Sequence, residues 1–143
     1  MKPHTLLLLT ILLASCEALG INDGLSYSYQ TQRSEFTVDD TVSATFVNRS
    51  QHSLYVFPGC PTVGLEKQTD SSWTAVEIPI YCALVARPPL PVGPEKHREF
   101  MLRPSTLNEA EIDPGTYRLT LPIGRKKEEP SEQATSNRFE IVR

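Results

Sequence analysis

Turn-forming residues interrupt this sequence about every ten positions, and that spacing limits the possible fold more than any other feature. Between the turns lie short segments in which apolar and polar residues alternate. Val42, Ala44 and Phe46 fall on one face of such a segment, and polar residues fall on the other. The 12 prolines among 143 residues argue against a helical bundle. The pattern predicts an all-β fold of about seven to nine strands.

The connections between the predicted strands are too short to hold crossover helices, which excludes a parallel sheet and favours an antiparallel β-sandwich. A closed barrel is the alternative that the pattern leaves open. The four prolines of residues 87–94 predict a loop or an edge crossing, because proline cannot donate to a strand ladder. The charged residues 124–136 predict a solvated loop. Residues 106–109 match a capping box and predict one helical turn.

The first 15 residues have the features of an export signal. Lys2 provides the positive start, and the apolar stretch from Leu6 to Ala14 is shorter than the roughly 20 residues that span a bilayer. Residues 13–16 (LASC) resemble the bacterial lipobox. The resemblance implies that Cys16 is diacylated and becomes the new N-terminus, and two acyl chains are enough for stable anchoring in a membrane.

This interpretation divides the chain into a leader, a lipidated N-terminus with its tether, and a folded domain, over residues 1–15, 16–24 and 25–143. Loss of Lys2 with the leader changes the net charge from −3 to −4, and a weakly acidic domain does not favour nucleic acid. Glu17, which is not aspartate, follows the cysteine and favours the outer membrane, facing the periplasm or the exterior. The alternative is a soluble secreted protein that is cut near Ala18.

Three cysteines are an odd number for an exported protein. If Cys16 carries lipid, Cys60 and Cys82 remain, and their midpoint is residue 71, inside the hairpin turn predicted at residues 69–72. Residues equidistant from a symmetric turn face each other, so the geometry predicts a Cys60–Cys82 disulfide worth about 3 kcal/mol in the chain-entropy model. A metal site is not expected because the histidines show no ligand-like spacing, and a redox pair usually has C-x-x-C spacing.

Three segments together resemble a known family: residues 41–48 (TVSATFVN), residues 63–76 with Trp73, and residues 114–121 (PGTYRLTL). They resemble the immunoglobulin-like domain of bacterial lipoproteins and cell-envelope proteins. They are also similar to the β-sandwich of the Bacillus intracellular proteinase inhibitor family. The resemblance covers residues 36–143 and implies an immunoglobulin-like sandwich, without implying any catalytic chemistry.

Aromatic and proline side chains are the candidate contact residues. Alternation puts Tyr55 and Phe57 on the opposite face of their strand from Leu54 and Val56, so both faces are apolar. A central strand covered on both sides has this pattern, and so does an exposed patch that binds a partner. Trp73 is expected to cover the edge of the core more than to bind a ligand. The candidate interaction surface comprises Tyr55, Phe57, Trp73, Pro88, Pro89 and Pro91.

Other motifs favour ordinary surface roles. No nucleophile motif such as G-x-S-x-G occurs, and the carboxylates of residues 109–113 lack the calcium-loop pattern. Pro88, Pro91 and Pro94 match the spacing of a polyproline ligand, but in an exported protein a rigid loop explains them better. The sequon at residues 48–50 is incidental in a bacterial protein.

These observations predict a non-catalytic, lipid-anchored binding module of the cell envelope. Its partner would be a protein or a glycan, and no cofactor is expected. The alternative function is a proteinase inhibitor that presents the proline-rich residues 86–95 or residues 58–62. An accessory enzyme or minor hydrolase is the third hypothesis.

Overall fold

The computed structural model describes residues 25–77, 87–107 and 112–143, in which eleven strands form two packed sheets. One 3₁₀ turn lies at Pro104–Thr106, and the described residues contain no α-helix. The strands are β1 (Tyr27–Thr31), β2 (Glu35–Thr37), β3 (Val42–Asn48), β4 (Leu54–Val56), β5 (Gly64–Thr69), β6 (Ser72–Ala75), β7 (Leu90–Val92), β8 (His97–Leu102), β9 (Gly115–Gly124), β10 (Glu132–Thr135) and β11 (Phe139–Val142). The predicted β-sandwich is confirmed, and the two sheets do not close into a barrel.

The small sheet has the order β1-β3-β8, and the large sheet is built around β9. β5 and β4 pair successively with one side of β9, while β11 and β10 pair successively with its other side. β2 pairs with β11 in parallel, so the prediction of an antiparallel sandwich is wrong for this pair. The pairing needs no crossover helix because nearly the whole domain connects the two strands.

The orders β1-β3-β8 and β2-β11-β9-β4-β7 are those of an immunoglobulin-like sandwich, in which the strands are divided between two facing sheets. Tyr117 lies near the start of the central strand β9, and its hydroxyl donates a 2.6 Å hydrogen bond to the Asp113 carbonyl. A tyrosine that bonds to the backbone a few residues upstream is the tyrosine corner of this fold. The segment 114–121 therefore contains a structural feature of the sandwich.

The alternation predicted from the sequence decides which side chains form the core. Val42, Ala44 and Phe46 of β3 are all 0% exposed, as predicted. On β9 the core-facing side chains are Tyr117, Leu119, Leu121 and Ile123, and none is more than 1% exposed. Burial of one such aliphatic or aromatic side chain stabilises the fold by about 1.5–3 kcal/mol.

Two segments predicted as loops contain strands. The prediction of a solvated loop over residues 124–136 is wrong at its C-terminal end, because residues 132–135 pair with β9 and bury Ala134 completely. The sequence QAT shows no clear alternation, so only the partner strand defines this element. In the proline-rich segment, residues 90–92 pair with β4 at a sheet edge, which confirms the edge crossing.

The predicted hairpin of β5 and β6 is present, with Thr69 paired to Ser72. Its centre therefore lies between Asp70 and Ser71, within one residue of the predicted midpoint. Cys60 lies in the connection between β4 and β5. Cys16, Cys82 and the predicted helical turn after Leu107 lie outside the described residues, so lipidation, the disulfide and that turn stay predictions. No described helix has the length and apolar character needed to cross a membrane.

The hydroxyl of Tyr29 is buried without a hydrogen-bond partner among the described residues. Burial raises the pKa of Tyr29 well above its usual value. We expect Tyr29→Phe to leave stability unchanged or to raise it by up to about 1 kcal/mol, because no hydrogen bond is lost. The matched control is Tyr117→Phe, which removes the bond to Asp113 and should cost about 1–2 kcal/mol. Urea unfolding of both variants checks the contrast, and a larger loss in Tyr29→Phe would contradict it.

Glu95 occupies a backbone conformation that favours glycine, with φ at 56°. It is the third residue of a turn closed by the Lys96 amide, which donates to the Gly93 carbonyl at 3.1 Å. Pro94 at the second position and a positive φ at the third are typical of a type II turn. We expect Glu95→Gly to stabilise the protein by about 1 kcal/mol, while Glu95→Ala, which keeps the strain, gives no such gain. Equal melting temperatures for the two variants would show that the strain is absent.

Candidate interaction surface

The face of the large sheet that points away from the small sheet carries most of the candidate contact residues, and we call it the outer face. Along β9 the core-facing residues alternate with Arg118, Thr120 and Pro122, which point to the outer face. β4 and β5 lie beside this row on one side, and β10 and β11 lie on the other. The outer face has an apolar part near Pro122 and a charged part near Arg118.

The apolar part is formed by β4 and β7. Tyr55 is paired with Pro91 on one side and with Gly124 on the other. Phe57 follows on the same face, and its amide donates to the Pro122 carbonyl at 2.9 Å. Tyr55 and Phe57 are half-exposed, whereas Leu54 and Val56 between them are fully buried. The prediction that this strand has two apolar faces is confirmed, and its outer side is a partly exposed patch.

A shallow depression of about 200 Å³ lies beside Phe57. Phe57, Pro61 and Pro122 contribute its apolar walls, and Gly64 and Thr120 lie across from each other in neighbouring strands at its floor. A side chain at position 64 would collide with the Thr120 hydroxyl. The missing side chain of Gly64 therefore lets Thr120 pack against the β5 backbone.

The charged part is centred on Trp73. The Arg118 guanidinium lies 4.2 Å from the centre of the indole ring, and the Arg138 guanidinium lies 5.6 Å from it. Arg118 also donates from Nε to a Glu66 carboxylate oxygen at 2.6 Å, and both of these side chains are largely buried. Each cation–π contact contributes about 0.5–1 kcal/mol at such a site. The cluster therefore holds the tryptophan ring in a fixed position.

The expectation that Trp73 covers the edge of the core is wrong. Trp73 is paired with Gln68 in the hairpin of β5 and β6. Gln68 lies on the outer face of β5, the same face as Glu66 and Gly64. A residue shares the face of its cross-strand partner, so the hairpin register turns Trp73 away from the core. The side chain is half-buried by arginines and not by the apolar interior.

The structure brings together only part of the predicted surface. Tyr55, Phe57 and Pro91 are neighbours, and Trp73 lies on the same face in a separate cluster. Pro88 is exposed and Pro89 half-buried in the segment before β7. Sequence reasoning missed Glu66, Pro61, Arg118, Pro122 and Arg138. The alternation of β9 could have indicated that Arg118 and Pro122 point outwards, but their neighbours depend on sheet register.

The outer face of the small sheet offers a larger but less distinctive groove, of about 630 Å³. Its central carboxylate, Glu99, already accepts hydrogen bonds from Ser43 at 2.8 Å and from Gln32 at 3.0 Å. Within the described ranges no three His, Cys, Asp or Glu residues are placed to hold a metal ion. Apart from Val47, the groove is lined by polar side chains. The outer face of the large sheet groups Tyr55, Phe57 and Pro91, so it is the stronger candidate.

No protein-family model and no curated protein matches the chain. In shape it is similar to part of the alkylpurine DNA glycosylase AlkC from Pseudomonas fluorescens, with a TM-score of 0.44 and 7% identity. It is also similar to parts of β-glucosidases from Erythrobacter marinus and Listeria innocua, with TM-scores of 0.42 and 0.38 and identities of 16% and 13%. These matches cover 84%, 83% and 82% of this chain but only 31%, 15% and 16% of the three enzymes. Likenesses this distant carry no argument about function.

Proposed function

We propose that this protein is a non-catalytic binding domain of the cell envelope, that lipid on Cys16 anchors it, and that it binds its partner through the outer face of the large sheet. The observation that carries the proposal is the grouping of Tyr55, Phe57 and Pro91 on one exposed sheet face. Aromatic side chains on a rigid scaffold are typical of interfaces, because they bury a large area and lose few rotamers.

The anchoring part of the proposal rests on the sequence. An apolar leader precedes residues 13–16, whose order of leucine, two small residues and cysteine resembles the lipobox. Leu25 packs partly against the core of the domain. Residues 17–24 would then form a tether that spans at most about 28 Å when fully extended. A tether of this length would keep the outer face close to other envelope components.

Site-specific photocrosslinking in native membranes tests the binding face. A photoreactive amino acid at position 55 is expected to capture a discrete partner. The matched control is position 45, which is also half-exposed but lies on the outer face of the small sheet. Capture from position 55 alone supports the proposal. Equal capture from both positions, or no capture from position 55, overturns it.

The predicted disulfide is tested by counting thiols in the exported protein. We expect no titratable thiol without reductant, because Cys16 would carry lipid and Cys60 would pair with Cys82. The variant Cys82→Ser should expose one thiol under the same conditions. Two free thiols in the wild-type protein would exclude the bridge.

A proteinase inhibitor is the alternative function. An inhibitor of this kind would present residues 58–62 or 86–95 in an open loop, but residues 90–92 are paired with β4. This pairing favours the binding module over the inhibitor. A panel of purified proteases separates the two functions, and we expect no inhibition. Dose-dependent inhibition that is lost when residues 58–62 are replaced would favour the inhibitor instead.

A further inference from the structure

We propose that the outer face binds an extended segment of a partner protein, which places a carboxylate on Arg138 and an apolar side chain in the depression beside Phe57. The inference rests on the proposed function and names the chemistry of the partner. It depends on three observations: the charge state of the Trp73 cluster, the lining of the depression, and the spacing between the two.

The two arginines beside Trp73 differ in their ionic partners. Arg118 is paired with Glu66, at 2.6 Å between Nε and the nearer carboxylate oxygen. Arg138 is exposed and forms no ion pair with any residue that the structure describes. Its guanidinium is nevertheless held near the indole ring. The cluster thus presents one uncompensated positive charge on a chain whose net charge is −3.

A carboxylate is the group that complements this arginine. The planar guanidinium donates two parallel hydrogen bonds to a carboxylate, and such charge-assisted bonds are about twice as strong as neutral ones. Trp73 shields one side of the site from water. Partial exclusion of water strengthens the attraction between the charges. Because the rest of the chain carries a net negative charge, it would repel a partner segment with many acidic residues.

The depression supplies the apolar half of the recognition site. Phe57, Pro61 and Pro122 offer carbon surface, and the hydroxyl of Thr120 is turned towards the backbone of Gly64. The volume, about 200 Å³, suits one aliphatic or proline side chain and not a ring system of several sugars. An apolar side chain of a peptide therefore fits the depression better than a glycan does.

The distance between the two halves sets the spacing in the partner. Two outward-pointing residues of β9 mark the two halves: Arg118 lies next to Arg138, and Pro122 borders the depression. They are four residues apart, which corresponds to about 13 Å along the strand. An extended peptide covers this distance in four to five residues. Arg118 and Pro122 both belong to β9, and Arg138 directly precedes β11. β11 pairs with β9 through Phe139 and Tyr117, so the sheet fixes this spacing. The partner segment should therefore carry an Asp or Glu four or five residues from an apolar residue.

A displayed library of random twelve-residue peptides tests the inference, with selection on the wild-type protein and counter-selection on Arg138→Glu. Selected peptides are expected to carry the acidic and apolar residues at this spacing. Fluorescence anisotropy of one selected peptide should show roughly tenfold weaker binding to Arg138→Gln, and weaker binding at high salt. Arg103→Gln is the matched control, because it removes an equally exposed charge elsewhere, and it should bind the peptide like the wild type.

Peptides without acidic residues, or equal binding by Arg138→Gln and the wild type, overturn the inference. Arg138→Gln loses one cation–π contact, so it should unfold at a slightly lower temperature than the wild type and remain folded in the binding assay, whereas Arg103→Gln should unfold like the wild type. The photocrosslinking from position 55 separates this result from the proposed function. If the Arg138→Gln variant captures its partner from position 55 as well as the wild type does, the binding face stands and the acidic partner is excluded. This holds whether the captured species is a protein or a glycan. Absence of capture from position 55 would remove the proposed function itself.

Discussion

Replacing Asn48 with alanine is expected to lower the free energy of unfolding by about 3–4 kcal/mol. The Asn48 side chain is 0% exposed and makes four hydrogen bonds. Its amide nitrogen donates to the carbonyls of His52 and Val92 at 2.7 and 2.8 Å. Its oxygen accepts from the amide and the hydroxyl of Ser50 at 2.8 and 2.7 Å. Alanine would leave these groups without their hydrogen-bond partner. The loss of the bond to the Val92 carbonyl would cost most, because that bond is buried and water cannot replace it.

The matched control is Asn137→Ala. Asn137 also bonds through both ends of its amide, accepting from the Thr31 amide at 2.7 Å and donating to the Thr31 hydroxyl at 2.9 Å. Its bonds are exposed, so water replaces them, and we expect a loss of about 1 kcal/mol. Urea unfolding of both variants measures the difference. An Asn48→Ala protein as stable as Asn137→Ala would refute the argument from burial.

The same contacts give a physical reason why the sequon at residues 48–50 is incidental. A glycan would have to attach to the Asn48 amide nitrogen, which donates both of its hydrogens inside the fold. Glycosylation occurs on accessible surface loops. In the folded protein this nitrogen is not accessible.

Replacing Cys16 with serine is expected to abolish incorporation of labelled palmitate and to leave the precursor with its leader. The lipobox resemblance implies that the cysteine thiol receives the lipid, and a hydroxyl cannot form that thioether. Without two acyl chains the protein would also lose stable attachment to the membrane. Metabolic labelling and the size of the protein on a gel measure both effects. Cys82→Ser is the control and should be labelled and processed like the wild type. Unchanged labelling of Cys16→Ser would exclude the lipoprotein interpretation.

Much of the fold was predictable, because strand formation and burial depend on local patterns. The alternation around Phe46 identified both a strand and its buried face. The two apolar faces of the strand with Tyr55 were also readable, as was the hairpin turn at Asp70. Each of these features is written within a few consecutive residues. The segment 114–121 carried the resemblance to the sandwich, whereas the hydrogen bond of Tyr117 to Asp113 was found only in the structure.

The candidate site was predictable only in part, because it depends on sheet register. The sequence identified Trp73 as a candidate but assigned it to the core edge. The hairpin turn defines β5 as the partner of β6, but the face that the hairpin turns to the core depends on the pairing of β5 with β9. Arg118 lies on β9 and Arg138 directly precedes β11, and the two residues meet only because β11 pairs with β9. β10 was missed for the same reason, as Ala134 is buried by its partner strand and not by its own pattern.

The sequence by itself determined that this chain forms short strands, which of their faces are apolar, and which cysteines are candidates for lipid and for a bridge. These properties follow from period-two alternation, turn residues and short motifs, all of which are local. Only the tertiary structure decided that Trp73 lies between two arginines and that Phe57 borders a depression over Gly64. Those contacts join strands far apart in the chain, and their register is set by how the two sheets pack around one core.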